Sequence, residues 1–388
     1  MKLEVITSLA EIDAERWNRL NPRGDPFLAH EFLYGLELHD CLQPQGWYTS
    51  HLIVREDNGD LFAAMPLYLR TNSYGEFVFD WAWADAYERA GGKYYPKFVS
   101  AIPFTPASGN RLLVADERNL ALAAPVLING AIELLEHNKA SSLHILFPTV
   151  EQIEGIKEHA LLVRSGCQYQ WFNRNYACFD DFLQALNSKR RKQIKRERRD
   201  ANAPGIEIEV LYGDAINDEH WRVFHEFYCS TFYRKWGEPR LTESFFRYLS
   251  KSMPDAPLLV LGKHDGEYVA GSFSMRGSDT LYGRHWGCSQ HFKQLHFELC
   301  YYQTIDFCIS EKLSRFDAGA QGEHKMTRGF DPVKTWSAHW IVDPRFREAI
   351  EDFLEREGQH IDHYVDELSE HKAYKQQPNL DETIKIRD

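Results

Sequence analysis

Short apolar runs broken by Asp, Asn and Gly occur twice along the chain in the same order. HLIVREDNGDLFAAMPLYLRTNSYGEFVFDW (51–81) and LLVLGKHDGEYVAGSFSMRGSDTLYGRHW (258–286) each read as strand, tight turn, strand, polar turn and a strand ending at Trp. Asp57-Asn58-Gly59 and Asp265-Gly266 mark the tight turns, because a two-residue hairpin needs positive φ. Each copy predicts an antiparallel meander.

A helical pattern and then a further apolar run follow each meander. In FELCYYQTIDFCISEKL (297–313), Phe297, Tyr301, Ile305, Cys308 and Ile309 recur on one face, and SRFDAGA is the next strand. The first copy places PVLINGAIELLEH (125–137) and SSLHILF (141–147) in the same order, after an insert of about forty residues. The remaining pattern predicts a strand near Tyr169, helices over 181–200, 220–237 and 242–252, and a strand in APGIEIEVLYG. It closes with a helix capped by Asp343 and Pro344. Lobes at 1–165 and 166–374 with a polar tail at 375–388 follow, and two facing lobes leave a cleft that suits a ligand. The fold class is α/β (α+β), each lobe a mixed, largely antiparallel sheet flanked by helices.

Composition narrows the class. With 388 residues, 43% of them hydrophobic and 14% aromatic, the chain can fill packed cores. Its net charge of −12 argues against a general affinity for nucleic acid. SKRRKQIKRERRD (188–200) departs from that balance, with eight cations against two acids. A solvated helix face explains such a run; so does a site for tRNA, another anionic carrier or an anionic surface. The acidic N-terminus, the lack of a ~20-residue apolar span and seven irregularly spaced cysteines fit a cytoplasmic protein with reduced thiols. His285, His291, His296, Glu323, His324 and His339 are available to a metal, but no HExxH or CxxC spacing fixes ligands on one element, so none is expected.

The meander, helix, strand order, given twice, resembles the GNAT acyltransferase fold in tandem. LHFELCYYQ, GAQGEHK and RGF, with WADAY, YYPK and PFTPASG in the first lobe, resemble the FemAB-like family of predicted bacterial N-acyltransferases. Its relatives are the Fem-type enzymes, which move amino acids from aminoacyl-tRNA onto peptidoglycan precursors. The resemblance implies an N-acyltransferase with acyl-CoA or aminoacyl-tRNA as donor and a small-molecule or peptide amine as acceptor. Acetyltransferases usually place two spaced glycines before the helix that holds the coenzyme A pyrophosphate. Here 289–309 contains no glycine and Glu298 falls near the first turn, which suits the Fem-type donor better. A non-catalytic protein that kept the fold and recognises cell-wall peptide or tRNA is the alternative.

Acyl transfer to an amine needs a base, a donor for the developing oxyanion, and binding groups for both substrates. AGAQGEHKMTRGF (318–330) offers Glu323 or His324 as base, and Gln321, Lys325 and Arg328 as binding groups. A loop whose ions pair only with one another is the competing reading. Alternation turns Asp317 opposite to Phe316, toward the cleft. Glu298 and Tyr302, four apart on the helix, join His285 as pocket residues. In the insert, Asp85, Tyr87, Tyr95 and Lys97 read as part of a loop that closes over the cleft and selects substrate.

Overall fold

The computed structural model describes residues 1–235, 237–319, 322–370 and 373–375. Eight strands come first: β1 Lys2–Ile6, β2 Trp47–Thr49, β3 His51–Arg55, β4 Leu61–Met65, β5 Tyr68–Arg70, β6 Lys97–Ser100, β7 Leu113–Val114 and β8 Ser142–Leu146. Seven follow: β9 Leu162–Phe172, β10 Glu207–Tyr212, β11 Pro257–His264, β12 Glu267–Arg276, β13 Thr280–Cys288, β14 Arg315–Asp317 and β15 Asp331–Ile341.

The second-lobe meander forms as the pattern requires. β11, β12 and β13 pair antiparallel, with Asp265 and Gly266 at positive φ in the first turn. A helical segment then returns the chain so that β14 lies parallel to β13. The first lobe repeats the plan: helix Leu120–His137 carries the chain from one edge and β8 pairs parallel to β6. A parallel neighbour requires such a crossover. The protein is two tandem GNAT-like units.

The first meander differs from expectation over 74–81. No strand forms there, because Glu76 and Asp80 turn inward to the buried Lys97 instead of alternating across a ladder. Its hairpin also divides at Ser50 and Pro66. β3 and β4 join a four-stranded sheet in the order β1-β3-β4-β7, while β2 and β5 join the main sheet. The insert contains a helix, Trp81–Arg89, where a closing loop was expected; Trp83 and Ala84 on one side of it are buried. The predicted 181–200 helix is likewise two, Phe179–Ala185 and Ser188–Asn202, separated by an extended Leu186 and capped anew by Asn187.

The two units share one eleven-stranded sheet in the order β10-β11-β12-β13-β14-β9-β15-β8-β6-β5-β2. β9 runs across position 165, and β15, from the end of the chain, lies between β9 and the first-lobe strand β8. Strand register puts Arg70, Lys97, His144, His339, Thr335, Gln168, Gln170 and Asp317 on one face, and all are buried. A polar row therefore crosses the seam inside the protein. The helical stretch Glu117–His137 meets the length and apolarity of a membrane span, but it packs Ala123, Leu127, Ile128, Ala131 and Leu135 into the first-lobe core.

Candidate functional site

β13 and β14 pair only from Thr280 to Tyr282 and then separate, because β14 ends at Asp317 while β13 continues to Cys288. A register shift opposite Phe273 and Ser274 places Arg284 as the extra residue of a bulge. Beyond the split lies a cavity of about 110 Å³ walled by Arg284, His285 and Trp286 of β13, Phe316 of β14 and Ala318 just after it, and His296, Cys300 and Tyr301 of the returning helix. That helix widens into a π-turn over Glu298–Tyr302, and Ser272 Oγ donates to the Leu299 carbonyl at 3.0 Å.

The 318–330 segment becomes a 3-10 turn, Glu323–Arg328, bounded by Gly322 at φ 108° and Gly329 at φ 90°. A side chain at Gly322 would also strike the His324 ring, with its Cβ 2.4 Å from Cε1. The four candidate ions on this turn part company. Lys325 folds inward, 3% exposed, and its Nζ donates to the Ala318 and Gly319 carbonyls at 2.7 and 2.8 Å. An ammonium has three donors, so one has no protein acceptor among the described residues. Burial lowers its pKa to about 8, against the opposing pull of Asp317.

His324 places Nε2 3.0 Å from the Tyr301 hydroxyl, which stands in the cavity wall. Its pKa is lowered by partial burial and by Arg328 and Lys325, so the imidazole is neutral near pH 7. Burial also holds the Tyr301 hydroxyl well above its ordinary range. Glu323 is exposed and accepts from Tyr364 of the C-terminal helix at 2.7 Å. Arg328 is spent on structure: its Nη2 meets Glu197 at 2.9 Å, its Nη1 the His324 carbonyl at 2.7 Å, and its guanidinium lies 3.5 Å from the Phe297 ring centre.

Several expected pocket residues face elsewhere. Glu298 and Tyr302 point toward the basic helix Ser188–Asn202, where Glu298 pairs with Arg198 at 3.0 Å and Tyr302 donates to Glu197. The Glu298 charge is thus neutralised by Arg198 and does not stand free at the helix start. Asp317 lies on the sheet face opposite the cavity, holding Gly319 N–H at 2.9 Å and Gln170 at 3.1 Å. His285 does line the cavity, kept neutral by burial and by Arg284. Gln321 lies outside the described residues.

Of the insert residues, Asp85 pairs with Arg89 in solvent, and Tyr87 packs edge-on to Phe346, 4.9 Å between centres. Lys97 is fully buried; its Nζ reaches Ser73 Oγ and Glu76 at 2.7 Å each, and Asp80. Tyr95 shares a hydrogen bond with Ser73 at 2.9 Å. These four do not reach the second-lobe cavity. The segment just before them, Phe77–Phe79, does reach a separate cavity of about 230 Å³ over the middle of the polar row, together with Gln168, Thr335 and Trp336. The Gln168 Oε1 is buried without a hydrogen-bond partner among the described residues.

Tyr301, His296, Cys300 and Arg284 were not expected as pocket residues from sequence; His296 was weighed there only as an available metal ligand. Tyr301 had been assigned to the apolar helix face, which is correct for its ring; nothing in the pattern tells that its hydroxyl meets His324. Glu197 was hidden inside the cationic run. On the basic helix, Lys189, Lys192, Lys195, Arg196 and Arg199 are exposed on one side, while Ile194, Glu197 and Ala201 are buried.

Comparison with known proteins bears on the fold and the family. The structure superimposes on a crystal structure of FemX with a TM-score of 0.55 and 14% identity, covering 90% of this chain and all of that one. It matches the C-terminal DUF2156 domain of a protein described as a putative lysylphosphatidylglycerol synthetase from Agrobacterium fabrum at TM-score 0.55 and 10% identity, covering 89% and 96%. No curated protein sequence matches. These structural likenesses establish the shared fold. The FemAB-like family profile, described as peptidoglycan biosynthesis/recognition, matches residues 8–376. With nearly its whole length matched, the chain belongs to the FemAB-like family.

Proposed function

We propose that the protein transfers an acyl or aminoacyl group to the amine of a peptidoglycan peptide, with the reaction centred on the cavity between β13 and β14. The observation that carries this reading is that two cavity-lining residues are joined to titratable side chains behind the wall: the Tyr301 hydroxyl to the neutral His324, and the Ala318 carbonyl to the Lys325 ammonium, which keeps one donor without an acceptor among the described residues. The amine nitrogen attacks the acyl carbon and a C–N bond forms. Tyr301 takes the amine's proton as it passes its own to His324 Nε2. The remaining Lys325 N–H faces the carbonyl oxygen as charge develops there. The bond to the donor's oxygen or sulfur then breaks, and the leaving atom takes the proton that His324 returns through Tyr301. No covalent enzyme intermediate is required.

For the donor, the exposed cations Lys189, Lys192, Lys195, Arg196 and Arg199 favour aminoacyl-tRNA over acyl-coenzyme A. Seven free cysteines fit a reducing cytoplasm. The test is mass spectrometry of a peptidoglycan stem peptide incubated with the protein and total aminoacyl-tRNA or acyl-coenzyme A. Addition of an aminoacyl mass, lost in Lys325→Ala, supports the reading. Tight peptide binding with no mass change under either donor overturns it in favour of a recognition protein.

A further inference from the structure

The turn that carries His324 and Lys325 has little to fix it from within. It is a 3-10 segment of six residues, Glu323–Arg328, longer than such runs usually hold. Gly322 and Gly329, at φ 108° and 90°, flank it with backbone that has no side chain to restrain it. Its position is therefore set by what grips it from outside.

Glu197 of the basic helix holds Arg328. Two further grips come from the end of the chain, and both are tyrosine hydroxyls. Tyr364, on the C-terminal helix Pro344–Glu370, donates to Glu323 Oε1 at 2.7 Å, and its oxygen lies 3.2 Å from the Tyr169 hydroxyl of β9. Tyr374 donates to the Gly329 carbonyl at 2.7 Å. A Cβ on Gly329 would stand 3.3 Å from that hydroxyl and 2.8 Å from the Phe182 ring, so a bare backbone lets both approach.

Tyr374 is itself firmly seated. It is buried, the Arg174 guanidinium lies 3.7 Å from its ring centre, and Arg174 reaches Asp331, two residues past Gly329, at 3.1 Å. Its neighbours join the start of the basic helix: Asn187 N–H donates to the Ala373 carbonyl at 2.9 Å and Lys375 N–H to the Ala185 carbonyl at 3.1 Å. Leu186 and Tyr374 form an antiparallel bridge between them. Residues 373–375 thus tie the far end of the turn to the helix that carries the exposed cations. Burial raises both phenols above their ordinary range, so each keeps the proton it donates.

We propose that Tyr364 and Tyr374 are positioning residues for transfer: they clamp the two ends of the turn and so fix where His324 meets Tyr301 and where Lys325 meets Ala318. Neither lines the cavity. The functional half of this inference rests on the transfer reading above. One such hydrogen bond shifts an equilibrium about two- to tenfold, enough to loosen the turn without unfolding the protein. Misplacing the reacting groups then slows the chemical step.

The experiment compares Tyr364→Phe and Tyr374→Phe with Tyr268→Phe, a control that removes a matching bond, Tyr268 to Glu209 at 2.7 Å, at the β10 edge of the sheet. Two readouts are taken on the whole protein. One is transfer to a peptidoglycan stem peptide from total aminoacyl-tRNA or acyl-coenzyme A; the other is hydrogen–deuterium exchange over residues 322–330. Each clamp variant should lower kcat about tenfold with acceptor KM within about twofold. Exchange over 322–330 should quicken about fivefold, while the unfolding midpoint stays within about 2 °C of the control. The alkaline decline in rate should move upward from about pH 8, because a loosened turn lets water reach Lys325. A rate and an exchange pattern equal to the control's in either variant would overturn the proposal, as would a rate loss that only follows a lowered unfolding midpoint. If the wild-type protein transfers nothing, the transfer reading has failed and exchange decides the clamp alone: quickening in both variants supports it, and control-like exchange overturns it.

Discussion

Each lobe buries a lysine, and the two are handled in opposite ways. Lys97 in the first lobe meets two carboxylates and a hydroxyl, so all its donors are used and its charge is locked in. Burial alone would lower its pKa, but Glu76 and Asp80 outweigh that and raise it. Lys325 in the second lobe meets two carbonyls and, among the described residues, no carboxylate and no acceptor for its third donor; burial wins and the pKa falls to about 8. A fully paired buried charge fixes a fold, whereas one left partly unpaired is available for chemistry.

The sharpest way to break this contrast is to remove each lysine in turn. Lys97→Ala leaves Glu76 and Asp80 buried without their cation and should cost about 3–5 kcal/mol in chemical denaturation. Lys325→Ala, which frees two carbonyls but strands no charge, should cost less, about 1–3 kcal/mol, while the transfer rate drops about 10²–10³-fold. If the two variants exchanged these phenotypes, the assignment of structural and chemical roles would be wrong.

The next effect belongs to the proton path. His324→Ala or Tyr301→Phe should lower kcat about 10²-fold with little change in acceptor KM. The pH profile then separates Lys325 from both. A lysine whose folded pKa is depressed loses its proton earlier in the native state, so the charged form is present below about pH 8 and disappears above it. Activity that needs the ammonium should therefore decline as pH rises through about 8, and Lys325→Arg should move that decline upward. A rate still rising above pH 9 or so would instead make Lys325 the base.

The smallest effect is expected at the surface. Replacing Lys189, Lys192 and Arg196 by Glu should not alter folding but should weaken a polyanionic donor and flatten the salt dependence of its binding, read by filter binding at two salt concentrations. Equal donor affinity before and after the change would leave the basic helix with its structural contacts alone. Those contacts, Glu197 with Arg328 and Arg198 with Glu298, lie on its other side.

Much of the fold was legible from local pattern. The second meander, its turns and the helix after it are written in residues that are neighbours in sequence, and their registers follow from Asp265-Gly266 and from alternation. The 318–330 segment was also recognisable as chemically unusual. Its internal division of labour was not, because Arg328 finds Glu197 at a distance of 131 residues and His324 finds Tyr301 across 23.

Sequence by itself determined the duplicated α/β plan, the family likeness and the polar loop after β14, since period, turn chemistry and motif are local properties. Only the tertiary structure decided that the two units share a sheet, that Lys97 is locked while Lys325 is open, and that Glu298 and Tyr302 turn away from the cavity. Those outcomes depend on which distant groups desolvate and pair with each charge, and pairing energies of buried ions are set by three-dimensional proximity.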